Sequence, residues 1–339
     1  MPQRETSDNG SDGAPLPHGV NPQAVIAAIK ARADDRGVSG PRTDQRKLAL
    51  VIEGGGMRAV HSAGGAVVLG QLGFTDLFDQ VYATSAGAMN AAYLLAGQGE
   101  MGITIYYEDL AGKRFLNPLR LWKVLDVDYI FDHVVTVAKP LDVGRILAAS
   151  PAFFVALTDA TTGQGFLVDV KTTPAPVLDV LKAATAIPVL YNRTVCVEGR
   201  PCMDGGLPIP FPIEQAIANG CTDVLVLLTR PQTYICAKPG RGTMFAFNAL
   251  CSRGNQGLYL SYARHNERET AARDLALGRS PVPPGVNIAT ICPDEPETVQ
   301  RSSTDAGALY AAAVKYGRKT LRIFGADAEA WGLAPIRRG

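Results

Sequence analysis

The sequence predicts an α/β fold with a mostly parallel central sheet, and two observations carry the prediction. Residues 47–92 read strand, glycine turn, helix, strand, sharp turn, helix. The two turns lie about one βαβ unit apart, which sets them on adjacent strands at the same edge of a sheet. Further short apolar runs at residues 223–228 and 286–291 have the length and composition of buried strands. A chain of 339 residues, 47% apolar and 19% charged, is large enough to bury a sizeable core as one large domain or two small ones.

Residues 1–19 are rich in Gly, Pro, Ser and Asp and read as disordered. Asn21 caps a short helix with Pro22 at its first position, reaching Ala33, and residues 37–45 return to linker composition. The expected organisation is therefore an N-terminal tail over 1–46 with a short helix, a domain over 47–325 with a C-terminal extension from about 231, and a tail over 326–339.

Leu48 to Ile52 is the first strand. Gly54, Gly55 and Gly56 follow it, where positive φ and close backbone approach let several N–H groups converge on one point. A helix then runs to about Gln71, and Ala59, Ala63, Gly64 and Ala66 let it approach the sheet closely. A strand over 80–83 leads into Thr84, Ser85, Ala86 and Gly87. Ser85 falls on the turn before the helix 86–96, with its hydroxyl displayed at the carboxyl edge of the sheet and at a positive helix end. Asn90, one turn further, is either a brace for that turn or an ordinary polar position.

Residues 97–140 form a long excursion before the next convincing strand. Between Lys113 and Lys123, basic residues interleave with Phe115, Leu116, Leu119, Leu121 and Trp122. This suits a lipid–water interface; the alternative is apolar residues packed on the domain beside solvated charges. Residues 153–157 and 166–170 read as a hairpin, in which Asp159 and Asp169 are turn and strand-end residues. A helix from Pro176 ends before Pro188, and a second hairpin turns at Glu198-Gly199. It runs into Asp204, Gly205 and Gly206, after which Pro208, Pro210 and Pro212 delay the next helix to 212–219. Residues 234–253 are ambiguous, 258–277 read as one helix, and 303–324 as the last helix.

Three stretches in this order, Glu53 to Arg58, Ser85 in Thr-Ser-Ala-Gly, and Asp204-Gly205-Gly206, resemble the signatures of patatin-like phospholipases. They span residues 47–229, roughly half the chain. The resemblance implies a three-layer α/β/α patatin-like fold, with Ser85 and Asp204 as a catalytic dyad. It implies an oxyanion hole at Gly54, Gly55 and Gly56, with Arg58 holding that loop or strengthening its field. The implied substrate is a phospholipid, a lysophospholipid or another fatty acyl ester, met in the cytoplasm or at the membrane periphery, with no cofactor and no metal. Two positions depart from the family pattern, Ala59 and Ala83, where glycine is usual.

The residues bear on that chemistry directly. Ester hydrolysis needs a nucleophile, a base and donors aimed at the developing oxyanion. Ser85 supplies the hydroxyl, and Asp204 becomes an effective base only within hydrogen-bond reach and partly desolvated. Two rival readings use the same residues. Gly54-x-Gly56-x-x-Ala59 fits a dinucleotide fingerprint, but the acid at Asp76 precedes the second strand instead of ending it. Ser85, Asp204 and His265 stand in the order of an α/β-hydrolase triad, but His265 lies in a charged helical stretch. Ala59 and Ala83 also leave room for a patatin-like scaffold that binds lipid or a partner without turnover, and the same serine would serve an acyltransferase.

A formal net charge of +1 gives no electrostatic pull toward nucleic acid. No run approaches the length of a membrane span, and residues 1–17 lack the apolar core of a signal peptide. The six cysteines form no C-x-x-C pair and read as free thiols in a reducing compartment.

Overall fold

The five apolar residues from Leu48 to Ile52 are completely buried and form the strand around which the sheet assembles. The computed structural model describes residues 20–35, 44–117, 119–120, 124–191 and 193–336. In chain order the strands are β1 (Leu48–Ile52), β2 (Gln80–Thr84), β3 (Ala152–Asp159), β4 (Gly165–Asp169), β5 (Val195–Val197), β6 (Arg200–Asp204), β7 (Asp223–Leu227) and β8 (Asn287–Ile291). They lie in one sheet in the order β5-β6-β3-β2-β1-β7-β8, with β4 paired to β3. The central strands β3, β2, β1, β7 and β8 are parallel, and β4, β5 and β6 pair antiparallel.

The helices are α1 (Pro22–Asp34), α2 (Val60–Gln71), α3 (Ala86–Leu95), α4 (Gly99–Thr104), α5 (Val127–Tyr129) and α6 (Val143–Ala148). They continue with α7 (Val177–Thr185), α8 (Ile213–Ala218), α9 (Arg241–Phe247), α10 (Gln256–Ala263), α11 (His265–Ala276) and α12 (Ala306–Ile323). Pleating sends alternate residues of β1 to opposite faces. Leu48, Leu50 and Ile52 enter the larger core with residues of α1, α2, α3, α7 and α12. Ala49 and Val51 enter a second core with Ile213 and Ala216 of α8 and Ala272 and Ala276 of α11. The result is the expected three-layer α/β/α arrangement with a mostly parallel sheet.

Both ends of the chain depart from expectation. The helix assigned to the N-terminal tail is a docked element of the domain. Val25 and Ile29 of α1 are fully buried, and the helix packs on β7 and β8. Arg32 fastens it by donating to Asp44 (2.7 Å), Asp79 (2.8 Å) and the Leu77 carbonyl (2.6 Å). The C-terminal tail also folds back, at least as far as residue 336. Ala328 is buried, the Trp331 ring fills the space above Gly317 of α12, and its indole N–H donates to Gln71 (2.7 Å). In both segments a few apolar side chains find the edges of the helical layer, which a local reading of composition does not register. The expectation of disorder over residues 1–19 and the interface role of Trp122 fall outside the described residues.

The single helix expected over 258–277 is two, because Arg264 leaves the helical region (φ −100°, ψ 4°) between α10 and α11. The ambiguous stretch before it forms α9 and a wider π turn over Asn248–Ser252, closed by left-handed Arg253 (φ 44°).

α2 packs along α12, and at this contact His61 is 5% exposed against the ring of Tyr316 (5.9 Å). Burial lowers its pKa to about 4, aided by the charge of Arg58. A histidine whose folded pKa lies below its unfolded value of about 6.5 supports the fold above that value and loses the contribution as pH falls toward 4. His61→Leu should therefore flatten the stability profile between pH 6.5 and 4, by up to roughly 3 kcal/mol at the acid end. Urea midpoints of both proteins across that range test this; parallel profiles would refute it.

Candidate active site

The site arises from how one edge of β3 is shared. Ala156 pairs with Thr84 of β2 and Leu167 of β4, while the next residue, Leu157, pairs with Asp204 of β6 and Phe166 of β4. β4 thus occupies one edge, and β2 and β6 share the other, running toward each other and ending where they meet. Ser85 directly follows the end of β2 and Asp204 ends β6, so residues 119 apart in sequence become neighbours. The Thr158 hydroxyl donates to the Asp204 carbonyl (2.7 Å) and holds the end of β6 down.

Ser85 has φ 57° and ψ −136°, a backbone state rare for a side-chain-bearing residue. Its hydroxyl donates to Asp204 Oδ2 at 2.5 Å, and both residues are buried. The other carboxylate oxygen accepts from the Gly206 amide (2.7 Å). Burial raises the Asp204 pKa; the Ser85 and Gly206 hydrogen bonds and the charges of Arg301 and His265 offset part of that rise. A desolvated carboxylate against a hydroxyl is a stronger base than one in water.

The glycine loop abuts this turn. A Cβ on Gly54 would stand 2.5 Å from the Thr84 carbonyl oxygen and 2.6 Å from Ser85 Cβ. One on Gly87 would stand 2.5 Å from the Ile52 carbonyl oxygen. Loop and turn touch backbone to backbone because neither glycine carries a side chain. Gly55 (φ 140°) and Gly56 (φ 57°) then turn the chain into α2. Among the described residues, no hydrogen bond within the protein engages the amides of Gly54, Gly55 or Gly56. Three uncommitted donors beside a serine can stabilise an oxyanion.

The departures at Ala59 and Ala83 impose no strain. Ala59 is helical (φ −65°) and Ala83 sits in β2, paired with Ile52 and Val155; neither has positive φ.

Beneath the loop lies a charged network that sequence reasoning resolved only in part. Glu53 Oε2 accepts from the Thr229 amide (2.5 Å), and the Thr229 hydroxyl lies 2.8 Å from the Gly54 carbonyl oxygen. Arg273 pairs with Glu53 at 3.6 Å. Arg58, 2% exposed, donates to the Thr229 hydroxyl (3.3 Å) and faces Glu297 (3.7 Å). Burial lowers its pKa to about 10, against the opposing charge of Glu53. Arg58 therefore underpins the loop. Asn90 is a brace as well: its amide donates to the Ala59 carbonyl (2.9 Å) and its oxygen accepts from the Tyr106 hydroxyl (2.9 Å). Glu53 sat inside the glycine motif and could have been singled out as an acid next to it. Thr229, Arg273 and Glu297 carry no local signal.

His265 borders the same space but is engaged elsewhere. Its Nδ1 lies 3.3 Å from the Leu207 carbonyl oxygen and its Nε2 3.1 Å from Glu269. Glu269 also accepts from the Cys236 thiol (3.3 Å). Burial pushes the Glu269 carboxyl up, but the His265 hydrogen bond and charge outweigh it and hold it at about 2. Cys236, His265 and Glu269 offer donor atoms within 4.8 Å of one another that could hold a metal ion, although Glu269 already serves both neighbours as acceptor.

Two cavities meet at Ser85. One, of about 190 Å³, is almost wholly apolar, and residues 97–140 supply much of its wall, including Ile105, Tyr106, Phe115 and Ile130. Phe115 is buried in that wall, whereas Leu119 is 88% exposed and does not line it. The other cavity is mixed, more polar than the first, and is lined by the glycine loop, Arg58, Asp204 and His265.

A parallel α/β sheet, a serine on a strained strand-to-helix turn, a buried carboxylate against its hydroxyl and free loop amides define the class of serine-centred α/β proteins. Within it, this chain matches the family model "Patatin-like phospholipase" over residues 50–217. It is 27% identical over 192 residues to "Uncharacterized protein YjjU" of Escherichia coli (strain K12), covering 55% of this chain and 52% of that protein. The chain thus spans about half the length of this curated relative. Among solved structures it is similar to VipD from Legionella pneumophila, with TM-score 0.46 and 14% identity over 83% of this chain and 66% of that one. It is also similar to human GIVD cytosolic phospholipase A2 in complex with methyl gamma-linolenyl fluorophosphonate and terbium chloride. There the TM-score is 0.45 and the identity 12%, over 91% of this chain and 64% of that one.

The close approach at Gly87 makes a stability prediction. Gly87→Ala drives a methyl group into the Ile52 backbone and should cost about 1–3 kcal/mol. Ala83→Gly, which only loosens a strand, should cost about 0.5–1 kcal/mol. Guanidinium unfolding of the two variants gives the comparison; a Gly87→Ala protein as stable as the parent would contradict the packing described.

Proposed function

We propose that this protein is a serine hydrolase that cleaves fatty acyl esters of phospholipids or lysophospholipids through a Ser85–Asp204 dyad and an acyl-enzyme. The observation that carries the reading is the 2.5 Å hydrogen bond from the Ser85 hydroxyl to buried Asp204, at the mouth of an apolar cavity. Asp204 takes the Ser85 proton as Oγ attacks the ester carbonyl carbon. The oxyanion accepts from the amides of Gly54, Gly55 and Gly56, with Arg58 keeping their loop in place. The tetrahedral species collapses, and the leaving alcohol takes the proton from Asp204. Water then gives a proton to Asp204 and attacks the acyl-enzyme; the fatty acid leaves and the proton returns to Ser85.

No helix among the described residues is long and apolar enough to cross a membrane. Substrate in a bilayer would then be reached from the surface, in the cytoplasm on our reading, and exposed Leu119 within its basic stretch supports contact there.

Ser85→Ala, Asp204→Asn and the double variant should be about equally inactive, because either loss stops the same proton transfer. His265→Ala and His61→Ala should keep most activity. Rates on p-nitrophenyl esters and phospholipids, with circular dichroism as the folding control, test this. An active Asp204→Asn beside a folded but inactive His265→Ala would favour a triad instead.

Because Asp204 must be ionised and burial raises its pKa, kcat/KM should fall as pH drops through a value above the ordinary 3.8. A rate–pH profile that stays flat down to pH 4 would count against Asp204 as the base. Phe115→Ala should reduce turnover of long acyl esters more than of acetate or butyrate esters, read as the ratio of kcat/KM values. An unchanged ratio would separate the acyl chain from this cavity.

A further inference from the structure

Gly56, Ser85, Ile187 and Arg301 line both cavities, and of these four Arg301 is the charged one. Its backbone is fixed to the site. The Arg301 carbonyl accepts from the Met57 amide (3.1 Å), a Cβ on Gly56 would lie 2.8 Å from that same oxygen, and Val299 two residues earlier is fully buried.

Its side chain is treated differently from those of its cationic neighbours. Arg58 and Arg230 both face Glu297 (3.7 and 3.1 Å), and Arg273 faces Glu53 (3.6 Å). Arg301 is exposed and, among the described residues, its side chain makes no hydrogen bond or ion pair. Its charge still reaches the site, contributing to the lowering of the Arg58 pKa and opposing the rise at Asp204. The junction where an ester carbonyl would meet Ser85 thus carries an uncompensated guanidinium, anchored by its backbone and free at its tip.

A guanidinium presents a planar fork of donors suited to a phosphate. In a glycerophospholipid the phosphodiester lies only a few bonds from the acyl ester, whereas an acylglycerol has a neutral hydroxyl there. We propose that Arg301 is a substrate-binding residue that recognises the headgroup phosphodiester of a lipid whose acyl chain enters the apolar cavity. This rests on the acyl-ester reading above and assigns the polar side of the same site.

The test uses binding, so that it does not depend on turnover. In a Ser85→Ala background, 1-decanoyl lysophosphatidylglycerol and 1-monodecanoylglycerol are titrated calorimetrically below their micelle concentrations, with inorganic phosphate as a separate arm. Arg301→Gln should reduce the preference for the lysophospholipid by about tenfold, the order of one charge-assisted hydrogen bond, and Arg301→Lys should restore part of it. An unaltered preference in Arg301→Gln would overturn the proposal. Arg301-dependent binding of inorganic phosphate, with no such dependence for the lysophospholipid, would also overturn it, as a free-phosphate site. Failure of the hydrolase reading looks different: the parent protein would turn over no ester while the binding preference still fell with Arg301→Gln.

Discussion

The site depends on a single feature of the sheet, the sharing of one β3 edge by two strands that run head to head. β2 climbs that edge to Thr84 and β6 descends it to Asp204, with Ala156 and Leu157 as adjacent partners. Once those registers are set, the side chains at the two strand ends have to meet. A slip of one residue in either strand would turn Ser85 or Asp204 to the other face of the sheet. The antiparallel strands on this side are therefore part of the site's construction. They deliver a carboxylate from the far side of the motif to a serine displayed by the parallel part.

The second constraint is backbone proximity. Gly54 and Gly87 stand where any Cβ would meet Thr84 or Ile52 backbone, so the loop amides lie within reach of Ser85 only because both positions are glycine. Held this close, the loop cannot be steadied by side chains of its own. That task falls to Glu53, Thr229, Arg58 and Arg273 beneath it and to Asn90 beside it. A buried ion-pair network of this kind is a poor source of net stability, since desolvation opposes most of the attraction. What it provides is a single loop geometry, because any other would leave buried charges without partners.

The excursion after α3 supplies the remaining wall. Two of its stretches, Ile105–Asp109 and Ile130–Ala138, are wound as π-helix, which widens the helix and shifts the direction of successive side chains. Ile105, Tyr106 and Ile130 from these stretches face the cavity that opens on Ser85. The excursion walls only the apolar cavity, Glu53, Gly54, Gly55 and Asp204 only the more polar one, and Gly56, Ser85 and Arg301 stand where the two meet.

The strand-turn-helix units of residues 47–92, the display of Ser85 and the glycine loop were legible in the sequence. Each is a local matter of φ, side-chain size and apolar periodicity within a few residues. The pairing of Asp204 with Ser85 was legible only through the order of the three motifs, since no local rule measures a distance across 119 residues. Ala59 and Ala83 looked like defects until their backbone angles showed that neither position calls for glycine. The docking of α1 and of residues 326–336, the break at Arg264, the ring partners of His265 and the network under the loop were not legible at all. Each is decided by what a side chain meets from a distant part of the chain, and a buried contact leaves no mark on the composition of either segment that makes it.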